Sequence, residues 1–200
     1  MAYLVLFATG AVLGTALDHL HVAAAILAYP SPVLFSQAAW VPALFGFAAV
    51  AFVRLRRPFR SPPEGRPSVP RALLSLAAFV AAYAVTALGS ARPLAVAAIL
   101  LATWALLVAG PGWQRRALYG LALAAIGTTF ESLLSWLGGF HYLIPTTLRV
   151  PVWLPALYLH ASLLMEALDR LLLEPVAEAK ESGHAQSPLG PGRPRRSFAG

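Results

Sequence analysis

Residues 2–28 read AYLVLFATGAVLGTALDHLHVAAAILA, and this stretch decides the fold. As a helix rising about 1.5 Å per residue, it is long enough to cross a hydrocarbon layer of roughly 30 Å. No positive charge precedes it, it is too long for the apolar core of a signal peptide, and it carries Asp18, His19 and His21. It therefore reads as a retained membrane helix. At about 100° per residue, Gly10, Gly14, Asp18 and His21 share one face. Gly10 and Gly14 form a GxxxG, the spacing that lets two backbones approach closely in lipid.

The rest of the chain continues in the same way. It has 200 residues, is 58% hydrophobic and only 12% charged, and its mean hydropathy is +0.69. A soluble domain this apolar could not cover its surface. Spans are expected near 2–28, 38–55, 71–88, 93–110, 117–138 and 151–171. The breaks between them have local causes in Pro30 and Pro32, the Arg54–Arg71 segment, Gly89-Ser90 before Pro93, Gly110-Pro111-Gly112, and Gly138-Gly139 through Pro151. The expectation is an all-α integral membrane protein, a compact bundle of six transmembrane helices over residues 1–173. Residues 174–200 read as a disordered basic cytoplasmic tail. The tail's PxxP patterns, Pro188–Pro191 and Pro191–Pro194, follow from its composition.

Basic residues orient the bundle. Arg54, Arg56, Arg57, Arg60, Arg66 and Arg71 lie between helices two and three, and Arg115 and Arg116 between four and five. Arg170, Lys180, Arg193, Arg195 and Arg196 follow helix six, whereas only Arg92 and Arg149 fall on the opposite side. An even number of spans then places both termini in the cytoplasm. For the Arg54–Arg71 segment the plain reading is topology alone, with binding of anionic lipid headgroups as the sharper alternative. Trp40 and Trp153 are expected at the outer interface and Trp113 at the inner one. Lys180 is the sole lysine and asparagine is absent, a bias that suggests a GC-rich bacterial gene.

An ionisable side chain in hydrocarbon must face protein or water. Helix five carries a stripe of Gly120, Ala124, Gly127, Glu131, Ser135 and Gly138, and helix six puts Pro155, Ser162 and Glu166 on one face, with His160 about 120° away from Glu166. Asp18, His21, Glu131 and His160 are expected at similar depth below the outer surface, lining one cavity. Glu166 lies nearer the inner end, placed to pair with Arg170 at i+4. His19 receives no role. Gly10, Gly14, Gly127 and Pro155 read as packing positions. Two readings of the polar residues stay open. They form a polar network or the floor of a lipid-headgroup site, or they serve an intramembrane enzyme or ion-coupled transporter. No HExxH, DxxxD or GxSxG motif supports the second. Cysteine is absent, which removes disulfides, thiolate metal sites and Cys nucleophiles. Neither a cofactor nor a metal nor a nucleic-acid partner is implied.

Two stretches carry a resemblance. Phe35-Ser36-Gln37-Ala38-Ala39-Trp40-Val41-Pro42 opens helix two. Phe140-His141-Tyr142-Leu143-Ile144-Pro145, then Val152-Trp153-Leu154-Pro155, lead from helix five into helix six. Both resemble the Insig family, the small six-helix membrane proteins of sterol regulation, with no gap needed between Tyr142 and Pro155. The resemblance covers residues 1–173. It implies a six-helix bundle around an intramembrane lipid cavity and a protein that is not an enzyme. Animal members of that family bind oxysterols, hold the escort protein Scap in the endoplasmic reticulum and bring HMG-CoA reductase to degradation. Three family positions differ. The sterol-facing glutamine falls on Ser132, the Scap-contacting aspartate on Thr146, and the second tryptophan of the helix-two pair on Ala39.

In a bacterial inner membrane, as opposed to the endoplasmic reticulum of a eukaryotic member, the implied ligand is a neutral lipid, diacylglycerol-like in place of a sterol. Its hydroxyl and ester oxygens would meet Asp18, His21, Glu131, Ser132, Ser135 and His160. The identity of any membrane-protein partner is left open.

Overall fold

A computed structural model describes residues 1–60, 68–144 and 147–173. Arg66, Pro145, Thr146, Lys180, the tail arginines and the PxxP patterns lie outside the described residues. Among the described residues six α-helices follow one another as α1 (Ala2–Ala23), α2 (Val41–Leu55), α3 (Val69–Leu88), α4 (Pro93–Val108), α5 (Trp113–Trp136) and α6 (Leu154–Leu172). Two short strands, β1 (Leu27–Ala28) and β2 (His141–Tyr142), pair antiparallel, with Leu27 opposite Tyr142 and Ala28 opposite His141. Helices α1, α3 and α5 are each long and apolar enough to cross a membrane, whereas α4 is as apolar but shorter.

The first helix ends five residues before the sequence predicts. Nothing in Ala24-Ala25-Ile26 disfavours helix; the ending comes from tertiary pairing. Ala25 turns to φ 54°, and the Ile26 carbonyl accepts the Leu143 amide at 2.8 Å. The strand pair thus ties the exit of α1 to the exit of α5. Residues 38–40 are likewise not helical, because Trp40 is the N-cap and Pro42 occupies the first turn, where a missing N–H costs nothing.

The entries to α2 and α6 are built alike. Leu34 bridges Gln37 around Phe35 and Ser36, both at positive φ, and Thr147 bridges Val150 around Leu148 and Arg149, also both at positive φ. Each is a tight turn with mirror-image backbone, and each is followed three residues after its last bridged residue by Trp-x-Pro at a helix start. Non-glycine residues in that region are strained, at roughly 1–3 kcal/mol each, so something must hold them. The holders come from the preceding helices. His19 Nδ1–H donates to the Phe35 carbonyl at 3.0 Å, and Ser132 Oγ donates to the Leu148 carbonyl at 2.6 Å.

Helix α6 is the central post, packed against all five others and buried over nearly its whole length. A helix surrounded on every side by protein can carry polar residues without meeting acyl chains. α1 and α2 pack closely. A Cβ on Gly10 would lie 2.5 Å from the Ala49 Cβ, one on Gly14 would lie 2.3 Å from the Phe45 ring, and Gly46 sits against Phe7 in return. Pro155 departs from the expected packing role. It is exposed in the first turn of α6, so it neither packs nor kinks the helix. Trp153, expected at the interface, is fully buried in the core, while Trp40 and Trp113 are exposed.

Candidate functional site

Spacing brings the polar groups together at the strand-pair end of the bundle. On α1, Asp18 and His21 stand three apart and turn inward together. On α5, Gly127 and Glu131 stand four apart and do the same. α3 adds Tyr83 and Thr86, α6 adds Tyr158, and the strand pair adds Tyr142 with Tyr29 beside it. All of these except Thr86, which stands behind His21, border a cavity of about 360 Å³, which reaches down between α1, α2, α5 and α6 along Gly10, Phe45, Ala49 and Leu164. Its wall is mostly apolar. Phe47 on α2 and Ile126 and Phe130 on α5 line it yet remain 67%, 50% and 44% exposed, so it opens sideways between α2 and α5.

Each cavity carboxylate is held by neutral donors. Asp18 Oδ2 accepts from the Tyr29 hydroxyl at 2.8 Å and from Gln37 Nε2 at 2.6 Å. Gln37 also donates to the Thr15 carbonyl, which fixes its amide. Glu131 accepts from Tyr158 at 2.5 Å on Oε1 and from Tyr142 on Oε2. Among the described residues neither Asp18 nor Glu131 forms a salt bridge. Groups on the cavity wall keep unspent hydrogen-bonding capacity. Asp18 Oδ1 and the Tyr83 hydroxyl make no hydrogen bond to protein among the described residues.

His21 is set by its neighbours. The Thr86 hydroxyl donates to the Tyr83 carbonyl at 2.7 Å, so its oxygen accepts from His21 Nε2–H at 2.7 Å, leaving Nδ1 as an acceptor. The imidazole stacks on Tyr83 at 4.8 Å between centroids and leans on Trp153 at 5.3 Å. An aromatic roof of Tyr29, Phe140, Tyr142 and Trp153 closes this end.

The cavity therefore gathers Asp18, His21 and Glu131, with Gly10, Gly14 and Gly127 where the wall runs closest to backbone. It does not gather the other expected residues. His160 points toward α4, where Nε2–H donates to the Leu100 carbonyl at 3.0 Å beside Thr103. Ser132 is one position, about 100°, past Glu131. It holds the turn at Leu148, and Ser135, which donates to the Arg149 carbonyl at 3.4 Å, supports the same turn. Among the described residues no three His, Asp or Glu side chains cluster tightly enough to hold a metal.

Sequence reasoning missed the tyrosines and Gln37. Tyr is common at membrane interfaces, so Tyr29, Tyr83 and Tyr158 carried no distinct signal, while Tyr142 and Gln37 stood out only within the stretches that carry the family resemblance. The reachable clue was Tyr83, three residues before Thr86 in the otherwise apolar second half of α3. It also missed Asp169. That residue is fully buried at the opposite end and binds Arg56 and Arg60, the latter through Nε at 3.0 Å. Glu166 pairs with Arg170 at 3.3 Å and lies 3.9 Å from Arg56. Arg56, read as a loop charge, is thus a buried structural cation.

No protein-family model matches the chain. An INSIG protein homolog of Mycolicibacterium vanbaalenii is 36% identical over 146 residues, 69% of this chain and 69% of the relative. Among solved structures, the mycobacterial Insig homolog MvINS from Mycobacterium vanbaalenii superposes with a TM-score of 0.75 at 32% identity, covering 84% of this chain and 92% of that one. The cross-linked trimer of a cysteine variant of MvINS gives a TM-score of 0.73 at 31% identity over 86% and 93%. With a relative this similar over this much of its length, and the same bundle in both solved structures, the chain belongs to the Insig family.

Proposed function

We propose that this protein binds a neutral, diacylglycerol-like lipid in the cavity between α1, α2, α5 and α6, and that it does so without chemistry on the ligand. The observation that carries this reading is the division of the cavity. One end offers Asp18 Oδ1 as an acceptor and the Tyr83 hydroxyl as a donor, and the remainder is apolar and opens toward acyl chains between α2 and α5. A lipid hydroxyl would donate to Asp18, an ester carbonyl would accept from Tyr83, and two acyl chains would leave through the lateral opening. Pockets with an apolar wall and a few fixed polar groups bind such ligands. A sterol presents one hydroxyl and no ester, and uses less of this polar set.

The same arrangement disfavours an enzyme or transporter. Glu131 is held by a phenol on each of its oxygens, which engages it as an acceptor instead of freeing it as a base. His160 faces away. The arginine-rich ends of α2 and α6 and starts of α3 and α5 support a reading with both termini in the cytoplasm of a bacterial inner membrane.

A diacylglycerol carrying a photoreactive group on one acyl chain tests the reading. Cross-links should map to Phe47, Ile126 or Phe130. Labelling spread over the outer faces of α3 and α4 would contradict it.

A further inference from the structure

The end of the bundle remote from Asp18 and Glu131 carries a second concave surface. Two adjoining clefts share Arg71, Arg116, Glu166 and Arg170. The first is also lined by Arg56 and Arg115, so among the described residues five guanidinium groups surround one carboxylate. Part of this charge is already engaged. Glu166 takes Arg170 at 3.3 Å, Asp169 takes Arg56, Arg115 donates to the Arg60 carbonyl at 2.9 Å, and Arg116 donates to the Ala109 and Pro111 carbonyls. Arg71 is exposed and makes no ion pair among the described residues, and the Nε of Arg170 is buried without a hydrogen-bond partner. An excess of positive charge thus lines a dent instead of being spread over a loop.

The second cleft adds the other half of a ligand. It runs from Ser68 and Arg71 along Leu74, Leu107 and Leu163, between α3, α4 and α6, so an apolar wall continues directly from the arginines. Leu74 is exposed on the bundle surface beside it. A phosphate with an attached acyl chain fits that sequence of surfaces, with the phosphate oxygens among Arg71, Arg116 and Arg170 and the chain against the leucines. Arginine favours such oxygens because its planar fork donates two hydrogen bonds at once. We infer that this cleft is an anionic-phospholipid site, independent of the neutral-lipid cavity, in which Arg71, Arg116 and Arg170 hold the phosphate at the arginine-rich membrane face.

Native mass spectrometry of the full-length chain in detergent, titrated with dioleoylphosphatidylglycerol, tests it. One tightly bound equivalent is expected. Arg71→Gln should weaken it roughly 5-fold, and adding Arg115→Gln, which removes a second positive charge at the edge of the clefts, should weaken it further. Both residues are exposed, so the fold survives their loss. Arg149→Gln, at the other end, should leave it unchanged. Neither dioleoylglycerol nor millimolar inorganic phosphate should displace it. Equal affinity in the double variant and the parent would overturn the inference. Competition by dioleoylglycerol would overturn it by placing the lipid in the central cavity, and displacement by phosphate would overturn it in favour of a free-anion site.

Discussion

Gly127 lies directly against Tyr158. A Cβ at Gly127 would come within 2.4 Å of the ring, and the hydroxyl of that same ring donates to Glu131 at 2.5 Å. A rigid ring cannot fold aside as a flexible chain would. Gly127→Ala should therefore push Tyr158 off Glu131 and destabilise the bundle by about 1–3 kcal/mol, the usual range for overpacking. Scanning fluorimetry in detergent measures this, and an unchanged midpoint would show that the α5–α6 contact is looser than described.

Ser132 and Glu131 are neighbours with different jobs, and substitution separates them. Ser132→Ala removes the hydrogen bond to the Leu148 carbonyl and should cost about 1 kcal/mol, with bound lipid unchanged. If Ser132 lined the cavity instead, the same variant would lose lipid at constant stability. Measuring both quantities on one preparation decides between the two.

At the opposite end, Asp169 is fully buried with Arg56 against it. Removing one partner of such a pair strands the other charge, at about 3–5 kcal/mol. Asp169→Asn should therefore abolish a monodisperse peak in size-exclusion chromatography. Arg60, whose side chain is one-third exposed, should matter less, and Arg60→Gln should survive extraction.

Fusions of a reporter active only in the cytoplasm, placed before Met1 or after Gly200, should both be active. A periplasmic signal from either end would reverse the reading of the arginine-rich face.

Helix number, order and polar stripes were legible in the sequence because each rests on local periodicity. Gly10, Gly14, Asp18 and His21 lie on one face of α1 whatever the tertiary structure. The features that were not legible are those set by partners far away in the chain. Ala24-Ala25-Ile26 carry no helix-breaking residue, yet α1 stops there because Ile26 meets Leu143. The turns at Phe35-Ser36 and Leu148-Arg149 lack the glycine or asparagine that marks positive φ, because His19 and Ser132 hold them from neighbouring helices.

The site shows the same split. Glu131 is inward because its stripe says so. His160 lies on α6, which is buried on all sides, so helical periodicity could not tell which neighbour it faces, and the answer is α4. Arg56 looked like one of several loop charges, and only its contact with Asp169, more than a hundred residues away, makes it structural.

The central claim is that the cavity holds a neutral lipid through groups that the protein itself leaves unbonded. Quantitative mass spectrometry of the organic extract from purified protein tests this most directly, comparing the parent with Tyr83→Phe. The Tyr83 hydroxyl bonds no protein group among the described residues, so its loss should leave the thermal midpoint in place. Close to one neutral lipid per parent chain is expected, and about fivefold less after washing in Tyr83→Phe, the equivalent of one lost hydrogen bond of about 1 kcal/mol. A parent chain that is folded, monodisperse and free of lipid would contradict it.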